Sequence, residues 1–206
     1  MKLILASASP RRRELLKSTG ASFEIRPAEI DESVKTNETP EAYVKRVCFE
    51  KALAVAKEQG LDFLKQKDWA ILSADTTVVY KVGGKSKILG KPQDRIDAVR
   101  MLMQLSGKQH LVMTAFTWIG KSKKKKIKYT ELVVTKVWFQ KRPKSFWEWY
   151  ASTGEPMDKA GAYGAQGVGM TFVSKVLGSY SNVIGLPLPN VCLSFERLFK
   201  ESLFCL

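Results

Sequence analysis

Short apolar runs alternate with amphipathic stretches along the first half of the chain. The runs "KLILAS" and "WAILSADTTVVYKV" have the apolar character of buried strands. The stretches "SPRRRELLKSTG" and "TPEAYVKRVCFEKALAVAKEQG" predict helices, because each begins with a capping Ser or Thr followed by proline and ends at glycine. The longer helix is predicted to start near Thr39 or Pro40 and to end at Gly60. Strands that alternate with helices indicate an α/β fold.

The second half of the chain adds paired strands. "GGK" predicts a hairpin turn after the central strand, and "HLVMTAFTWI" and "YTELVVTKVWF" predict two strands around a lysine-rich run. We interpret "GMTFVSKVLGSYSNVIG" as a hairpin around Gly178. Helices are predicted for "DRIDAVRMLMQLSG", "PKSFWEWYASTG" and "PLPNVCLSFERLFKESLF". Because hairpins pair antiparallel strands, we expect a mixed sheet, and without a visible repeat or linker we expect residues 1–206 to form a single domain.

Composition narrows the class of protein. The apolar fraction of 45% supports a core, and no apolar run approaches the roughly 18 residues of a membrane span, so we expect no membrane partner. The first apolar run is too short for a signal peptide and leads into arginines. Cys48, Cys192 and Cys205 are widely spaced without a CxxC pair, which indicates a reducing cytoplasm and argues against a disulfide framework or a structural zinc site.

The net charge of +14 favours an anionic partner such as nucleic acid, an anionic membrane or a phosphorylated small molecule. Six of the lysines lie in "GKSKKKKIK", between two predicted strands. A solvated hairpin tip that opposes aggregation is the favoured interpretation. A nucleic-acid or membrane contact is the alternative, and the absence of an aromatic residue within the run weakens single-strand binding.

The stretch "LASASPRRRELL" predicts a strand, a serine-rich turn and a helix N-terminus. Free backbone N–H groups and the positive end of the helix dipole make such a turn a site for an anion. Arg11 and Arg12 would lie at this end, and guanidinium groups match phosphate oxygens. A basic helix face with ordinary capping is the alternative, in which Ser7 and Ser9 are only turn and cap residues.

An aspartate interrupts the most apolar predicted strand. Asp75 in "AILSADTTVV" is costly to bury unless it binds a metal, acts as a general base or is well hydrogen-bonded, and all three roles stay open. Thr76 beside it is either a ligand contact or a residue that favours the strand. Lys91 in "ILGKPQD" is fixed between glycine and proline, as either a phosphate contact or a surface turn residue.

The glycine-rich segment "STGEPMDKAGAYGAQGVG" matches neither common phosphate-loop pattern. Glycines allow a backbone to approach a ligand closely, and Lys159 and Gln166 lie among them. A glutamine amide can read the donor and acceptor edge of a base. A loop without a ligand is the alternative. Elsewhere, His110 has no second histidine or GxSxG motif to support a triad, and no cysteine lies in the context of a nucleophile.

In this order, "LASASPRRRELL", "ILSADTTVV", "GKPQD", "LSGKQHLVMTA", "EPMDKAGAYGAQG" and "VIGLPLP" resemble the Maf family of nucleotide pyrophosphatases. The resemblance spans residues 3 to about 190. It implies an elongated mixed β-sheet flanked by helices, with two lobes and a cleft, in a cytoplasmic protein that could form a homodimer. It also implies cleavage of a nucleoside triphosphate to its monophosphate and pyrophosphate with a divalent cation, Mg²⁺, Mn²⁺ or Co²⁺. Related proteins are called septum formation inhibitors.

Three positions resemble the dTTP/UTP branch of this family: Arg11 after "SP", Thr76 after the central aspartate, and Gln166 in "AYGAQG". The resemblance makes Asp75 the proton acceptor and places Glu32 and Lys51 among the charged pocket positions. Two departures are Ser73, where glycine is usual, and Ala165, where isoleucine is usual. Both could loosen the selectivity for the base.

These observations give one main hypothesis with named residues. Asp75 is the catalytic residue, and Asp75 or Glu32 holds the metal. The predicted phosphate contacts are Ser7, Arg12, Lys51, Lys91 and Lys159. The alternatives are a basic module that binds nucleotides or nucleic acid without turnover, and a Maf-type enzyme that prefers 7-methyl-GTP or CTP.

Overall fold

The computed structural model describes residues 1–60, 65 and 68–204. Seven strands lie in this part of the chain: β1 (Lys2–Leu5), β2 (Glu24–Ile25), β3 (Trp69–Val82), β4 (Lys85–Leu89), β5 (Gln109–Ser122), β6 (Lys125–Phe139) and β7 (Val173–Leu177). The helices are α1 (Pro10–Lys17), α2 (Pro40–Glu58), α3 (Arg95–Leu105), α4 (Lys144–Ser152), α5 (Tyr180–Ile184) and α6 (Leu188–Phe199). Two 3₁₀ segments, Ala160–Ala162 and Gly167–Thr171, lie between α4 and β7.

The strands form one mixed sheet, which confirms the predicted α/β class. Its order is β2-β1-β3-β5-β6-β7, and β4 pairs with β3 outside this path. β1 is parallel to β2 and β3, whereas β4 is antiparallel to β3 and β7 is antiparallel to β6. The β3–β4 turn is formed by Gly83 and Gly84, both with positive φ, as "GGK" predicts.

The chain forms two compact units. Unit 1 comprises Met1–Asp75, Thr114–Val133 and Gly185–Leu206, and unit 2 comprises Thr76–Met113 and Val134–Ile184. Asp75 therefore ends a segment of unit 1, and Thr76 begins a segment of unit 2.

The core of unit 1 has two clusters. In the first, the ring of Trp118 contacts the rings of Phe195 and Phe199, with centroids 5.1 and 5.6 Å apart, and its Nε1 donates to Ser194 Oγ at 3.0 Å. The second packs α2 against β1 and β3, through residues that are fully buried: Ile4, Ala52, Val55 and Ile71. This packing fixes α2 over β3 and so positions the polar residues that the two elements carry.

The core of unit 2 is aromatic. The ring of Phe172 is 5.0 Å from those of Phe139, Trp147 and Tyr150. His110 is buried in this cluster, and its Nε2 is hydrogen-bonded to the Tyr163 hydroxyl at 2.8 Å. Burial lowers the pKa of His110 to about 3, so the ring is neutral at physiological pH.

Two predicted elements differ in the structure. Gly178 does not turn a hairpin: β7 ends at Leu177 and the short helix α5 follows. The reason is Asn182, whose buried amide donates to the Val112 carbonyl and to Thr135 Oγ1 and so draws this segment inward as a helical turn. Helix α2 ends at Glu58, two residues before the predicted Gly60.

The lysine-rich run lies at the connection between β5 and β6, as predicted. Lys123 and Lys124 form the turn with φ values of 47° and 71°, and the residues from Lys123 to Lys126 are exposed. The turn is anchored at its base, because the Lys123 N–H donates to Asp68 Oδ1 at 2.8 Å. Lys128 Nζ lies 4.0 Å from the centroid of the Phe49 ring, which is a cation–π contact.

Candidate active site

The predicted site residues fall into two groups, one in each unit. Those in unit 1 are Ser7, Arg11, Arg12, Glu32, Lys51 and Asp75, and those in unit 2 are Thr76, Lys91, Lys159 and Gln166.

Helix α1 begins as the sequence predicts, and its first turn folds back on the serines before it. Ser9 caps the helix by accepting from the Arg12 N–H, with Pro10 at the first helical position. The Arg12 side chain donates from Nη1 to Ser7 Oγ at 3.4 Å and from Nε to the Gly185 carbonyl at 2.8 Å. Arg12 is therefore held over the turn, and Arg11 is half-buried beside it.

A buried ion cluster joins α2 to β3. Lys51 Nζ lies 2.8 Å from Asp75 Oδ1 and 2.9 Å from Glu32 Oε2, so one ammonium is shared by two carboxylates. Lys51 and Asp75 are 8% and 6% exposed, whereas Glu32 is exposed to solvent on its other side. The structure thus brings together three predicted residues that are distant in the sequence.

The electrostatics of this cluster are set by burial. Removal from water raises the pKa of Asp75, and the positive charges of Lys51 and Arg12 oppose that rise. Burial also lowers the pKa of Arg12, with the carboxylates of Asp75 and Glu32 acting in the opposite direction. A carboxyl with a raised pKa is better matched to accept a proton near neutral pH than an ordinary aspartate is.

The alternation of β3 explains why Asp75 faces Lys51. Residues two apart on a strand point to one face, and residues three apart on a helix lie on one side. Ser73 Oγ accordingly donates to the Cys48 carbonyl at 2.7 Å, one step along from the pair of Asp75 and Lys51. Hydrogen bonding thus ties the hydroxyl of Ser73 to α2.

Sequence reasoning missed the residues that hold the Glu32 loop. The Tyr43 hydroxyl donates to the Glu32 carbonyl at 3.1 Å. The Arg46 guanidinium donates to both carboxylate oxygens of Glu38, at 2.6 and 2.9 Å, and to the Ser33 carbonyl at 2.8 Å. These bonds connect the irregular segment around Glu32 to α2. The acidic and basic residues that make them gave no local signal, because Glu38 and Arg46 are eight positions apart.

In unit 2 the structure links the turn before Lys91 to the glycine-rich segment. The Gly161 N–H donates to the Gly90 carbonyl at 2.9 Å, and Lys91 itself is exposed. Lys159 Nζ donates to Asp158 Oδ1 at 2.6 Å and to the Glu155 carbonyl, so its ammonium is engaged within its own loop. Thr76 is half-buried in β3.

Gln166 is exposed between two buried parts of the glycine-rich segment. The preceding residue, Ala165, is held by its carbonyl, which accepts from the Tyr180 hydroxyl at 2.7 Å. Ala165, Met170 and Tyr180 contribute to the wall of an open groove of about 250 Å³. Ala165, where isoleucine is usual in the family, therefore lies in the wall of this groove.

The described residues contain no group of three or more His, Cys, Asp or Glu side chains that could hold a metal ion by themselves. Asp75 and Glu32 form a pair rather than a cage. Within the same part of the chain, no helix has the length and apolar character required to cross a membrane. Cys48 and Cys192 are free thiols, and Cys205 lies outside the described residues.

The protein has a mixed α/β fold, and unit 1 carries arginines at a helix N-terminus with a buried carboxylate nearby. These features are typical of proteins that bind phosphorylated ligands. Comparison with known proteins gives the family. The model of the Maf-like proteins matches residues 2–198, and the chain belongs to this family.

Several curated relatives cover nearly the whole chain. The dTTP/UTP pyrophosphatase of Desulfotalea psychrophila is 46% identical over 97% of this chain and 94% of its own length. That of Anaeromyxobacter dehalogenans is 45% identical over 95% of this chain and 93% of its own length. That of Clostridioides difficile is 40% identical over 99% and 98%. These matches confirm the family resemblance of the motifs.

Proposed function

We propose that this protein hydrolyses dTTP and UTP to the nucleoside monophosphate and pyrophosphate. Relatives that are 40–46% identical over nearly the full chain are named dTTP/UTP pyrophosphatase. The observation in the structure that supports the proposal best is the buried cluster of Asp75, Lys51 and Glu32. Such a cluster offers a proton acceptor and a positive charge at one place.

Asp75 is the proton acceptor in this proposal. As water attacks the α-phosphorus, a new P–O bond forms, the bond to the bridging oxygen breaks and pyrophosphate leaves. The water's proton passes to the Asp75 carboxylate. Its Oδ1 accepts from Lys51, which leaves Oδ2 for the proton. Burial supports this role because it raises the pKa of Asp75.

Positively charged side chains bind and orient the triphosphate in this proposal. Lys51 and Arg12 are held in place by hydrogen bonds, so they are oriented before substrate arrives. We assign Ser7, Arg11 and Arg12 to the triphosphate, and keep Lys91 and Lys159 as predicted phosphate contacts. Because Lys159 is already bonded within its loop, it would have to exchange Asp158 for a phosphate oxygen.

A divalent cation, Mg²⁺, Mn²⁺ or Co²⁺, fits the pair of Asp75 and Glu32. Mg²⁺ is commonly held by one or two carboxylates together with substrate phosphates, and the two carboxylates here lie on either side of the Lys51 ammonium, which a bound cation would displace toward the substrate phosphates. When bound, such a cation neutralises phosphate charge and lowers the pKa of a bound water. Arg46 and Tyr43 keep the Glu32 carboxylate within reach of that position.

The proposed substrate-binding and specificity residues are Arg11, Thr76 and Gln166, of which Thr76 and Gln166 read the pyrimidine base. A side-chain amide and a hydroxyl can pair with the polar edge of uracil or thymine, and a base that leaves them unpaired is rejected. The exposure of Gln166 supports this assignment, since its amide is accessible to a ligand.

The test is release of pyrophosphate from dTTP, UTP, CTP and 7-methyl-GTP with Mg²⁺ or Mn²⁺. We expect turnover of dTTP and UTP, and a loss of at least about 100-fold in kcat for Asp75→Asn, since general-base catalysis contributes roughly 10²–10⁴-fold. Glu148→Gln is the matched control, because it neutralises an exposed carboxylate of α4. Wild-type kcat in Asp75→Asn would refute the assignment of the base.

The same panel tests the alternatives. Preferred turnover of CTP or 7-methyl-GTP would indicate a different branch of the family. No turnover of any nucleotide, together with salt-sensitive DNA binding, would indicate a basic binding module whose contact is the exposed lysine turn.

Three further expectations complete the proposal. Residues 1–206 act as one domain, which the family match over residues 2–198 supports. The protein works in the cytoplasm, where free thiols such as Cys48 and Cys192 stay reduced. A homodimer stays a prediction, which sedimentation of the purified chain would test.

A further inference from the structure

We propose that Glu155 is a positioning residue for base selection: its carboxylate holds the backbone on which Gln166 is presented. The inference rests on the proposed function, because it assigns Glu155 a role through Gln166. No motif-based reasoning singled out Glu155, although it lies eleven residues before Gln166 in the glycine-rich segment.

The carboxylate of Glu155 accepts three hydrogen bonds. Oε1 accepts from the Tyr150 hydroxyl at 2.7 Å and from the Gly169 N–H at 3.3 Å, and Oε2 accepts from the Val168 N–H at 3.1 Å. The Tyr150 oxygen accepts in turn from the Gly164 N–H at 3.3 Å. One side chain therefore fixes the backbone on both sides of Gln166, directly after it and through Tyr150 before it.

The glycines of the segment are explained by this close approach. A Cβ at Gly167 would lie 2.9 Å from Glu155 Oε2, and Gly167 has a φ of +61°. A Cβ at Gly169 would lie 1.7 Å from the Gly164 carbonyl oxygen. At Gly167 the backbone thus passes too close to the carboxylate for a side chain, and at Gly169 it passes too close to the backbone of Gly164.

The backbone of Glu155 is itself fixed. Its carbonyl accepts from Lys159 Nζ, and its N–H donates to Thr153 Oγ1 at 3.2 Å. Glu155 is half-buried, whereas Gln166 is exposed. This division suits a supporting residue and a residue that contacts ligand: the first is anchored on both its main chain and its side chain, and the second extends into solvent from a rigid loop.

Glu155→Gln tests the inference, because it keeps the shape but replaces an acceptor oxygen with an amide nitrogen that cannot accept from a backbone N–H. We expect amide hydrogen exchange at Val168 and Gly169 to accelerate by about tenfold, and the preference in kcat/KM for dTTP over CTP to fall by about tenfold, as for one lost charge-assisted bond. Glu148→Gln should change neither quantity.

A double variant separates positioning from direct contact. If Glu155 acts through Gln166, Glu155→Gln should not lower the preference for dTTP further once Gln166→Ala is present. An equal further loss in that background would overturn the inference, and so would an unchanged preference in Glu155→Gln despite faster exchange. If Glu155→Gln does not fold, Tyr150→Phe removes the hydroxyl that bonds both Gly164 and Glu155 but leaves the bonds from Val168 and Gly169 to the carboxylate, and it should give a smaller change of the same sign.

Failure of the proposed function gives a different result. Wild-type protein that hydrolyses neither dTTP nor UTP would refute that function, whereas normal turnover with unchanged amide exchange in Glu155→Gln would refute the role of Glu155 alone.

Discussion

Lys51→Met is the substitution that tests the buried cluster most directly. Methionine keeps most of the length of the lysine side chain but removes the ammonium that lies 2.8 Å from Asp75. Asp75, at 6% exposed, then loses the partner that stabilises its charge. Glu32 also loses this partner but remains accessible to water. The cost of the substitution therefore falls mainly on Asp75.

The magnitude is bounded from two sides. Breaking a buried ion pair by removing one partner typically costs about 3–5 kcal/mol. Asp75 can also avoid an unpaired buried charge by taking up a proton, which costs about 1.4 kcal/mol for each pH unit above its ordinary pKa near 4. The cost of protonating Asp75, which is the largest penalty that its lost ion pair can impose, is therefore about 4 kcal/mol at pH 7 and about 1.5 kcal/mol at pH 5. We expect Lys51→Met to lower the free energy of unfolding by about 3 kcal/mol at pH 7.

The sign of the pH dependence follows from linkage. Burial already raises the pKa of Asp75, and loss of Lys51 raises it further. The native state of the variant then binds a proton that the unfolded chain releases, so its stability falls as pH rises through the window from about 4 to the folded pKa. The penalty relative to wild type should accordingly shrink to about 1.5 kcal/mol or less at pH 5.

Urea unfolding followed by tryptophan fluorescence at pH 5, 6, 7 and 8 measures these quantities. Asp75→Asn combined with Lys51→Met should recover stability at pH 7 and lose the added pH dependence, because no buried carboxylate remains. Lys144→Met, at an exposed ion pair of α4, is the control and should stay within about 0.5 kcal/mol. A penalty that is the same at pH 5 and pH 8 would refute the reasoning, as would a double variant no more stable than Lys51→Met.

Two further predictions concern the loops. Gly169→Ala should lower the free energy of unfolding by at least about 2 kcal/mol in chemical denaturation, because its Cβ would clash with the Gly164 carbonyl, whereas Gly90→Ala, with nothing within 4 Å, should change it by less than about 0.5 kcal/mol. Arg46 lowers the pKa of Glu38 to about 2, so an NMR titration should show Glu38 ionised down to that pH and Arg46→Met should return its pKa toward about 4.3. The ion pair then stabilises the fold above the unfolded pKa of Glu38 and is lost as pH falls through about 2; an unchanged Glu38 pKa in Arg46→Met would contradict this cause.

Local signals predicted most of the fold. Ser9 and Pro10 mark the start of α1, and two adjacent glycines mark the β3–β4 turn, because caps and turns depend on residues that are neighbours in the chain. The prediction of a hairpin around Gly178 was wrong for the opposite reason. The conformation of this segment depends on the buried Asn182 amide and its contacts with Val112 and Thr135, which are 70 and 47 positions away.

The site divides in the same way. Asp75 was visible because a carboxylate in an apolar strand is costly without a partner. The family resemblance placed Lys51 among the charged pocket positions, but nothing in the sequence paired it with Asp75, since 24 positions separate the two. Glu155 gave no signal of its own, because its hydrogen bonds go mostly to backbone N–H groups, which every residue except proline provides.

Ser73 shows how the structure changes the meaning of a departure from the family pattern. The hydroxyl occupies a position where glycine is usual, and the sequence suggested looser selectivity. Its Oγ donates to the Cys48 carbonyl, and the Cys48 thiol, whose pKa burial raises to about 11, lies 3.3 Å from the same oxygen. The added polar group is therefore hydrogen-bonded within the interface of α2 and β3, so it carries no uncompensated burial cost. Because Ser73 and Asp75 share one face of β3, this bond holds α2 in the register that places Lys51 against Asp75. We infer that Ser73 supports the position of Asp75, the proposed proton acceptor.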